Sequence, residues 1–140
     1  MRLFGKSAKK AQLENADKSG LLESARKKAM RAYEEGDFEK ALKEWTGAIE
    51  IDAEYTYAYY KRANVYQDLG EYDNALADFE KVIEIDPDFA NAYNDRAFVY
   101  GKLGESKKAL LNYDKAIEID PNFAPAYNNR ASLYHDLGEY

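Results

Sequence analysis

Apolar residues recur along this chain at helical spacing. Tyr59, Ala63 and Tyr66 fall at i, i+4 and i+7, with Leu69 just before Gly70. Beyond that glycine, Ala75, Leu76, Phe79, Val82 and Ile83 keep the same rhythm, and polar residues occupy most positions between. An apolar stripe of this kind marks an amphipathic helix that buries one face. No stretch alternates with period two, so strands are not expected. Gly36, Gly70, Gly104 and Gly138 each follow a first helix, where a left-handed terminating residue must do without a Cβ. Asp86-Pro87 and Asp120-Pro121 close second helices, because the residue before proline is pushed out of the α region. Seven helices are predicted, over 22–35, 39–52, 56–69, 73–86, 90–103, 107–120 and 124–137.

The pattern repeats as a block. Residues 56–89 and 90–123 are both 34 long and share 18 identities without a gap. A further copy, APAYNNRASLYHDLGEY, begins at Ala124 and matches the preceding block at 10 of 17 positions. Residues 22–55 are a weaker copy. A fixed period in this range means one supersecondary unit, here helix–turn–helix, stacked on its neighbours. A single unit cannot bury its apolar face, so stability comes from the contacts between units. Ala63 and Ala75 stay small because closely paired helices leave no room for bulk at their nearest approach. The aromatic residues fill the spaces between units.

These residues resemble the tetratricopeptide repeat (TPR) family. Its pattern of aromatic, small residue, tyrosine, then Ala-x-x-x-aromatic and proline is met by Tyr59, Ala63, Tyr66, Ala75, Phe79 and Pro87. Tyr93, Ala97, Tyr100, Ala109, Tyr113 and Pro121 meet it again, and Tyr127, Ala131 and Tyr134 begin it a third time. The first copy departs most: Ala25 and Ala32 replace aromatics and Ala53 the proline, while Ala29, Ala41 and Trp45 fit. Arg62, Arg96 and Arg130 stand where the family usually has leucine, and each would need a carboxylate from a neighbouring helix. The resemblance implies an all-α, right-handed superhelical α-solenoid. Its repeats would be 22–55 (divergent), 56–89 and 90–123, with 124–140 a half repeat serving as a C-terminal helix.

In this family the first helices line a concave groove that binds extended peptides. The residues facing it here include Arg26, Met30, Tyr33, Tyr57, Tyr60, Lys61, Asn64, Asn91, Asn94, Phe98, Asn128 and Asn129. Met30, Tyr33, Tyr57, Tyr60 and Phe98 are large side chains turned away from the packing face, as at interface anchors. The competing account is that abundant tyrosine pads helix surfaces. The asparagines could hold a ligand backbone, since an amide both donates and accepts, or could be ordinary solvated residues. Lying off the packing face, Tyr60 and Phe98 are expected to tolerate truncation without unfolding. The groove is near neutral overall and basic at its amino end. The two-carboxylate clamp that some members use for the acidic tails of heat-shock chaperones is missing. Its positions are held by Arg26 and Met30, then Lys61, then Asn91 and Asp95, and Asp95 would repel a carboxylate. A protein or peptide partner is therefore expected, but not a chaperone tail.

Composition narrows the remaining classes. Apolar residues make up 46% and charged residues 33% of 140, enough for a core. With no cysteine and one histidine, His135, thiol chemistry, a histidine metal site and a Ser–His–Asp triad are not expected. No Gly-rich phosphate loop occurs. Neither a cofactor, a metal nor catalysis is expected. Residues 1–35 carry a balance of +4 and residues 36–140 one of −10, so most of the chain would repel nucleic acid. No apolar run of membrane-spanning length occurs, and no apolar segment follows the basic start MRLFGKSAKK. A cytoplasmic location without membrane association is the expectation.

The two ends are less regular. Residues 1–21 read as a flexible basic tail or a short helix, with Ser19-Gly20 as a possible break. At the other end, Tyr127, Ala131, Tyr134 and Leu137 lie where a further helix would cover them. The chain is thus expected to be part of a longer array. Self-association through Tyr127, Tyr134, Leu137 and Tyr140, as a homodimer through the C-terminal helix, is the alternative to a peptide-binding scaffold. One prediction tests the helix pairing. Ala63→Leu should overpack a closest approach and lower stability by about 1–3 kcal/mol, and an unchanged thermal midpoint would refute the pairing.

Overall fold

The computed structural model describes residues 2–138, with side chains from residue 8 onward except at 10, 13 and 16. Described residues form seven α-helices and no strand: α1 (Arg2–Glu34), α2 (Phe38–Ile51), α3 (Thr56–Asp68), α4 (Tyr72–Ile85), α5 (Ala90–Lys102), α6 (Ser106–Ile119) and α7 (Ala124–Asp136). From α2 onward each begins and ends within one residue of its predicted limits. The chain divides into two compact units, Met1–Ala58 and Tyr59–Tyr140.

The first unit is built on α1 packed against α2. Ala25, Ala29 and Ala32 on α1 and Ala41, Trp45 and Ala48 on α2 are buried. The start of α1 corrects the expected tail or short helix: residues 2–21 continue the helix, and Ser19-Gly20 does not interrupt it. Ala8 and Ala11 are exposed, and Leu21 is 56% exposed. This half of α1 rests on propensity rather than burial. Its Ala, Lys, Gln, Leu and Glu residues are good helix formers, and its two interior glycines, Gly5 and Gly20, each cost only about 1 kcal/mol relative to alanine. A helix already nucleated by the packed half extends at little further cost.

In the second unit α5 packs against α4 and α6, and α7 against α5 and α6. Tyr93, Ala97, Ala109, Tyr113, Ala116 and Ala126 form a buried cluster, with Ile83, Ile117, Phe123 and Leu133 against it. The four predicted glycines end first helices at φ between 74° and 77°. Beyond three of them a reach-back bond closes the turn: Asp37 N–H to the Ala32 carbonyl, Glu71 to Tyr66 and Glu105 to Tyr100, at 2.8–2.9 Å. Second helices stop differently from the sequence argument. The Asp52, Asp86 and Asp120 carboxylates accept the backbone N–H two residues on, from Glu54, Asp88 and Asn122 at 3.0–3.2 Å. Asp52 does so without a following proline, so the aspartate turn, not the proline alone, shapes this end.

The three arginines in the leucine position find polar partners within the unit. Arg62 grips the buried Asp78 carboxylate with two bonds of 2.7 Å. Arg130 meets Asp114 at 2.8 Å. Arg96 departs from the expected carboxylate, since its Nε donates to the Asn112 amide oxygen at 2.7 Å. The Asn112 Nδ2 in turn donates to the Lys108 carbonyl, which satisfies this buried amide. Each guanidinium also lies over a tyrosine three residues earlier: Arg62 over Tyr59, Arg96 over Tyr93 and Arg130 over Tyr127, at 5.4–5.8 Å. Removing one partner of a buried pair strands the other charge. Asp78→Ala should therefore cost about 3–5 kcal/mol in denaturant unfolding. Asp78→Asn should cost much less, because Asn112 already serves Arg96 in this way. Equal losses for the two variants would overturn this account of the pair.

Candidate functional site

The first helices carry the candidate groove residues, and the structure separates them into anchors, supports and exposed groups. In the first unit, Arg26 is held on α1 by Glu23, at 2.6 Å and 3.0 Å, and its Nη1 lies 3.4 Å from the Met30 sulfur. Tyr33 packs on Phe38 with ring centroids 5.4 Å apart, and Tyr57 meets Trp45 edge to face at 5.7 Å. These aromatic residues cover helix ends in their own unit. The basic run on α1 also opens, with Arg31 and Lys40, onto a cleft of about 420 Å³.

In the second unit, several expected ligand contacts are committed within the protein. The Tyr60 hydroxyl donates to Asp95 Oδ2 at 2.7 Å, Asn94 Nδ2 donates to Asp95 Oδ1 at 3.2 Å, and Asn129 Nδ2 donates to Asn94 Oδ1 at 3.1 Å. The result is a polar ladder running α3–α5–α7. Its rungs between helices, Tyr60 to Asp95 and Asn94 to Asn129, are both 35 residues apart. One period of 34 plus one residue links a first-helix position to the next position on the following first helix. The Tyr60 ring also packs on Phe89 and Phe79, with centroids 5.0 Å and 6.2 Å away. Tyr60 is thus part of the contact between repeats, and the expectation that it can be truncated at no cost to the fold is corrected. Helical geometry shows which face it occupies, but not that the next helix closes over it. Asn94, 5% exposed, is a structural amide. Asn91 and Asn128 are exposed, whereas Asn64 is half-buried.

Asp95 sits in the ladder with its pKa raised above the ordinary carboxylate value. Burial is the main cause, and the bonds from Tyr60 and Asn94 and the charge of Lys61 only partly offset it. The Lys61 ammonium lies over the Tyr60 ring at 5.9 Å. The buried Tyr113 phenol is pushed up to about 12, first by burial and then by the Asp95 charge.

Beside the ladder, between α5 and α7, opens a pocket of about 180 Å³. Phe98, Gly101, Tyr113 and Leu133 supply its less polar walls, and Lys102, Asn129, Ser132 and Asp136 its polar ones. Lys102 holds its ammonium over the Phe98 ring at 5.2 Å. Phe98 and Asn129, both candidates from sequence, come together here. Leu133 and Tyr113 were missed as wall residues because their repeat positions belong to the packing face.

The residues assigned to self-association divide in two. Tyr127 is 39% exposed where its counterpart Tyr93 is 7%, although its hydroxyl donates to the Pro121 carbonyl at 2.9 Å. Leu137, at 44%, matches Leu103 at 43% and Leu69 at 42%, so its exposure recurs at this position in the last three copies. Tyr134 is half-buried, and Tyr140 lies outside the described residues. Among the described residues no group of three or more His, Cys, Asp or Glu could hold a metal ion, and no helix is long and apolar enough to cross a membrane.

Comparison with known proteins identifies the repeats. Tetratricopeptide repeat family models match residues 56–89 and 90–123, and two further TPR models match 31–70 and 112–140. A search of curated protein sequences gives no match. The solved first TPR of Spaghetti (RPAP3) bound to the HSP90 peptide SRMEEVD is similar at a TM-score of 0.80 and 20% identity, covering 86% of this chain and 96% of that one. MamA is similar at 0.77 and 26%, covering 95% and 74%. The TPR2B domain of yeast Sti1 in complex with pHsp70 is similar at 0.74 and 28%, covering 82% and 94%.

The raised pKa of Asp95 has a signed consequence. A carboxyl that holds its proton more tightly when folded lends most stability below the ordinary carboxylate range. That stability is lost as pH rises through the raised folded value. Asp95→Asn keeps an acceptor for Tyr60 but turns an N–H toward the Asn94 Nδ2 that now donates to Asp95. The variant's melting temperature relative to wild type should therefore rise as pH is raised from below the carboxylate range to 7. A difference that stays constant or falls over that range would contradict this.

Proposed function

We propose that this chain, which belongs to the tetratricopeptide repeat family, is a non-enzymatic interaction scaffold that binds an extended segment of a partner protein along its first helices. Structures of similar TPR domains contain an HSP90 peptide and a pHsp70 partner, which supports a protein ligand here. The observation that carries the reading is the pocket between α5 and α7, where Phe98 and Asn129 meet. Phe98 is the anchor, and Asn91 and Asn128 are the exposed amides placed to pair with a ligand backbone. In the first unit, Arg26, Met30, Tyr33 and Tyr57 are proposed as ligand-contacting residues in their own right. Acidic chaperone tails are disfavoured: the peptide SRMEEVD carries two glutamates and an aspartate, and Asp95 occupies a position where the family's clamp has a cation. Self-assembly is the second reading, favoured by the exposure of Tyr127 on α7.

Random peptides displayed on phage and selected on the intact chain test the proposal. Selected peptides should bind wild type and lose on the order of 1–4 kcal/mol against Phe98→Asp, as for loss of an interface anchor. Circular dichroism should show that the variant remains folded. Selected peptides that bind Phe98→Asp with unchanged affinity would overturn the assignment of this surface.

A further inference from the structure

Gly101 has no conformational reason to be glycine. It lies inside α5, its φ is not positive, and a Cβ built on it would meet nothing within 4 Å. One period away, the same place is held by Gln67 and His135. Glycine is among the least favourable helix residues, so its presence here works against the helix. What its missing side chain leaves open is the wall of the pocket beside Phe98 and Leu133.

We propose that Gly101 opens a specificity subsite for one aliphatic or aromatic side chain of a partner peptide, flanked in that peptide by basic residues. The inference rests on the peptide-binding reading above and names its ligand. The pocket is open to solvent and has a volume of about 180 Å³, room for a Leu, Met or Phe side chain that would lie along its apolar side while polar groups make up the larger part of the wall. Phe98, Tyr113 and Leu133 would contact it. Charge sets the flanks. Residues 59–140 hold nine Lys or Arg against fifteen Asp or Glu. Asp136 lies in the pocket wall, and the one cation there, Lys102, is drawn over Phe98. An incoming lysine or arginine therefore meets a net negative surround, and glutamate is repelled.

Amide NMR titration of the full chain tests this with three blocked peptides: Gly-Lys-Leu-Lys-Gly, Gly-Lys-Ala-Lys-Gly and Gly-Glu-Leu-Glu-Gly. The first should shift the Gly101 and Ser132 amides at millimolar concentration, and the other two should bind at least tenfold more weakly. Gly101→Gln, which installs the residue of the preceding repeat, should abolish the Ser132 shift while the melting temperature rises or holds. Ser132→Gln, narrowing the pocket from the facing wall, should give the same loss and guards against a misfolded first variant. Undiminished binding to both variants would refute the subsite and leave the groove reading standing. Equal binding of the glutamate peptide would refute the charge assignment. Failure of every peptide here, together with failure of the phage selection to yield any binder, would remove the groove reading as well.

Discussion

Alanine at the closest approach of paired helices is the constraint on which the rest of this structure depends. Ala29 and Ala41 in the first unit, and Ala97 and Ala109 in the second, are completely buried where α1 meets α2 and α5 meets α6. Helices that approach this closely leave no depth for large side chains at the crossing. Bulk is displaced to either side, where Trp45, Phe79 and Tyr113 fill the remaining core. The tyrosine content follows from that displacement, since a ring can fill the gap between repeats while its hydroxyl reaches a polar partner at the edge.

The polar edge is what makes this repeat array individual. Arginine in the place of leucine brings charge into a nearly dry position, and the second unit meets it in three ways: a bidentate carboxylate, a buried amide and a half-exposed aspartate. Buried charge is tolerated only when its donors are matched, so Asp78 and Asn112 form units with their arginines. On the opposite side of the first helices, the Tyr60–Asp95–Asn94–Asn129 ladder uses polar groups that would otherwise face a ligand. It links α3, α5 and α7, and its Asn129 also lines the pocket in which Phe98 stands.

Much of the architecture was legible because it depends on period and local chemistry. Gly36, Gly70 and Gly104 end their helices where expected, and the limits of α2 to α7 follow from the apolar rhythm. The long start of α1 was only weakly legible, because its described side chains, Ala8 and Ala11 among them, are exposed and give little apolar stripe to read. The end of α2 was placed correctly, but the cause of these stops was not: the aspartate turn at Asp52, Asp86 and Asp120 had been credited to the proline that follows two of them. In the candidate site, the face of each residue was readable but its neighbour was not. Tyr60 and Asn94 lie on the predicted face, yet a partner 35 residues away takes each of them. The role of Gly101 was obscured because glycine gives no pattern of its own. Only the pocket around it shows what the missing side chain leaves open.

The central claim is that hydrogen bonds 35 residues apart tie successive first helices together and hold the binding face in shape. A double-mutant cycle on Asn94→Ala and Asn129→Ala, read by denaturant unfolding, tests it most directly. Contacting residues in one network are coupled, and the account predicts an interaction energy of about 0.5–1.5 kcal/mol between these two. Strict additivity, with each single variant also leaving stability unchanged, would show that the ladder supports nothing and would contradict the claim.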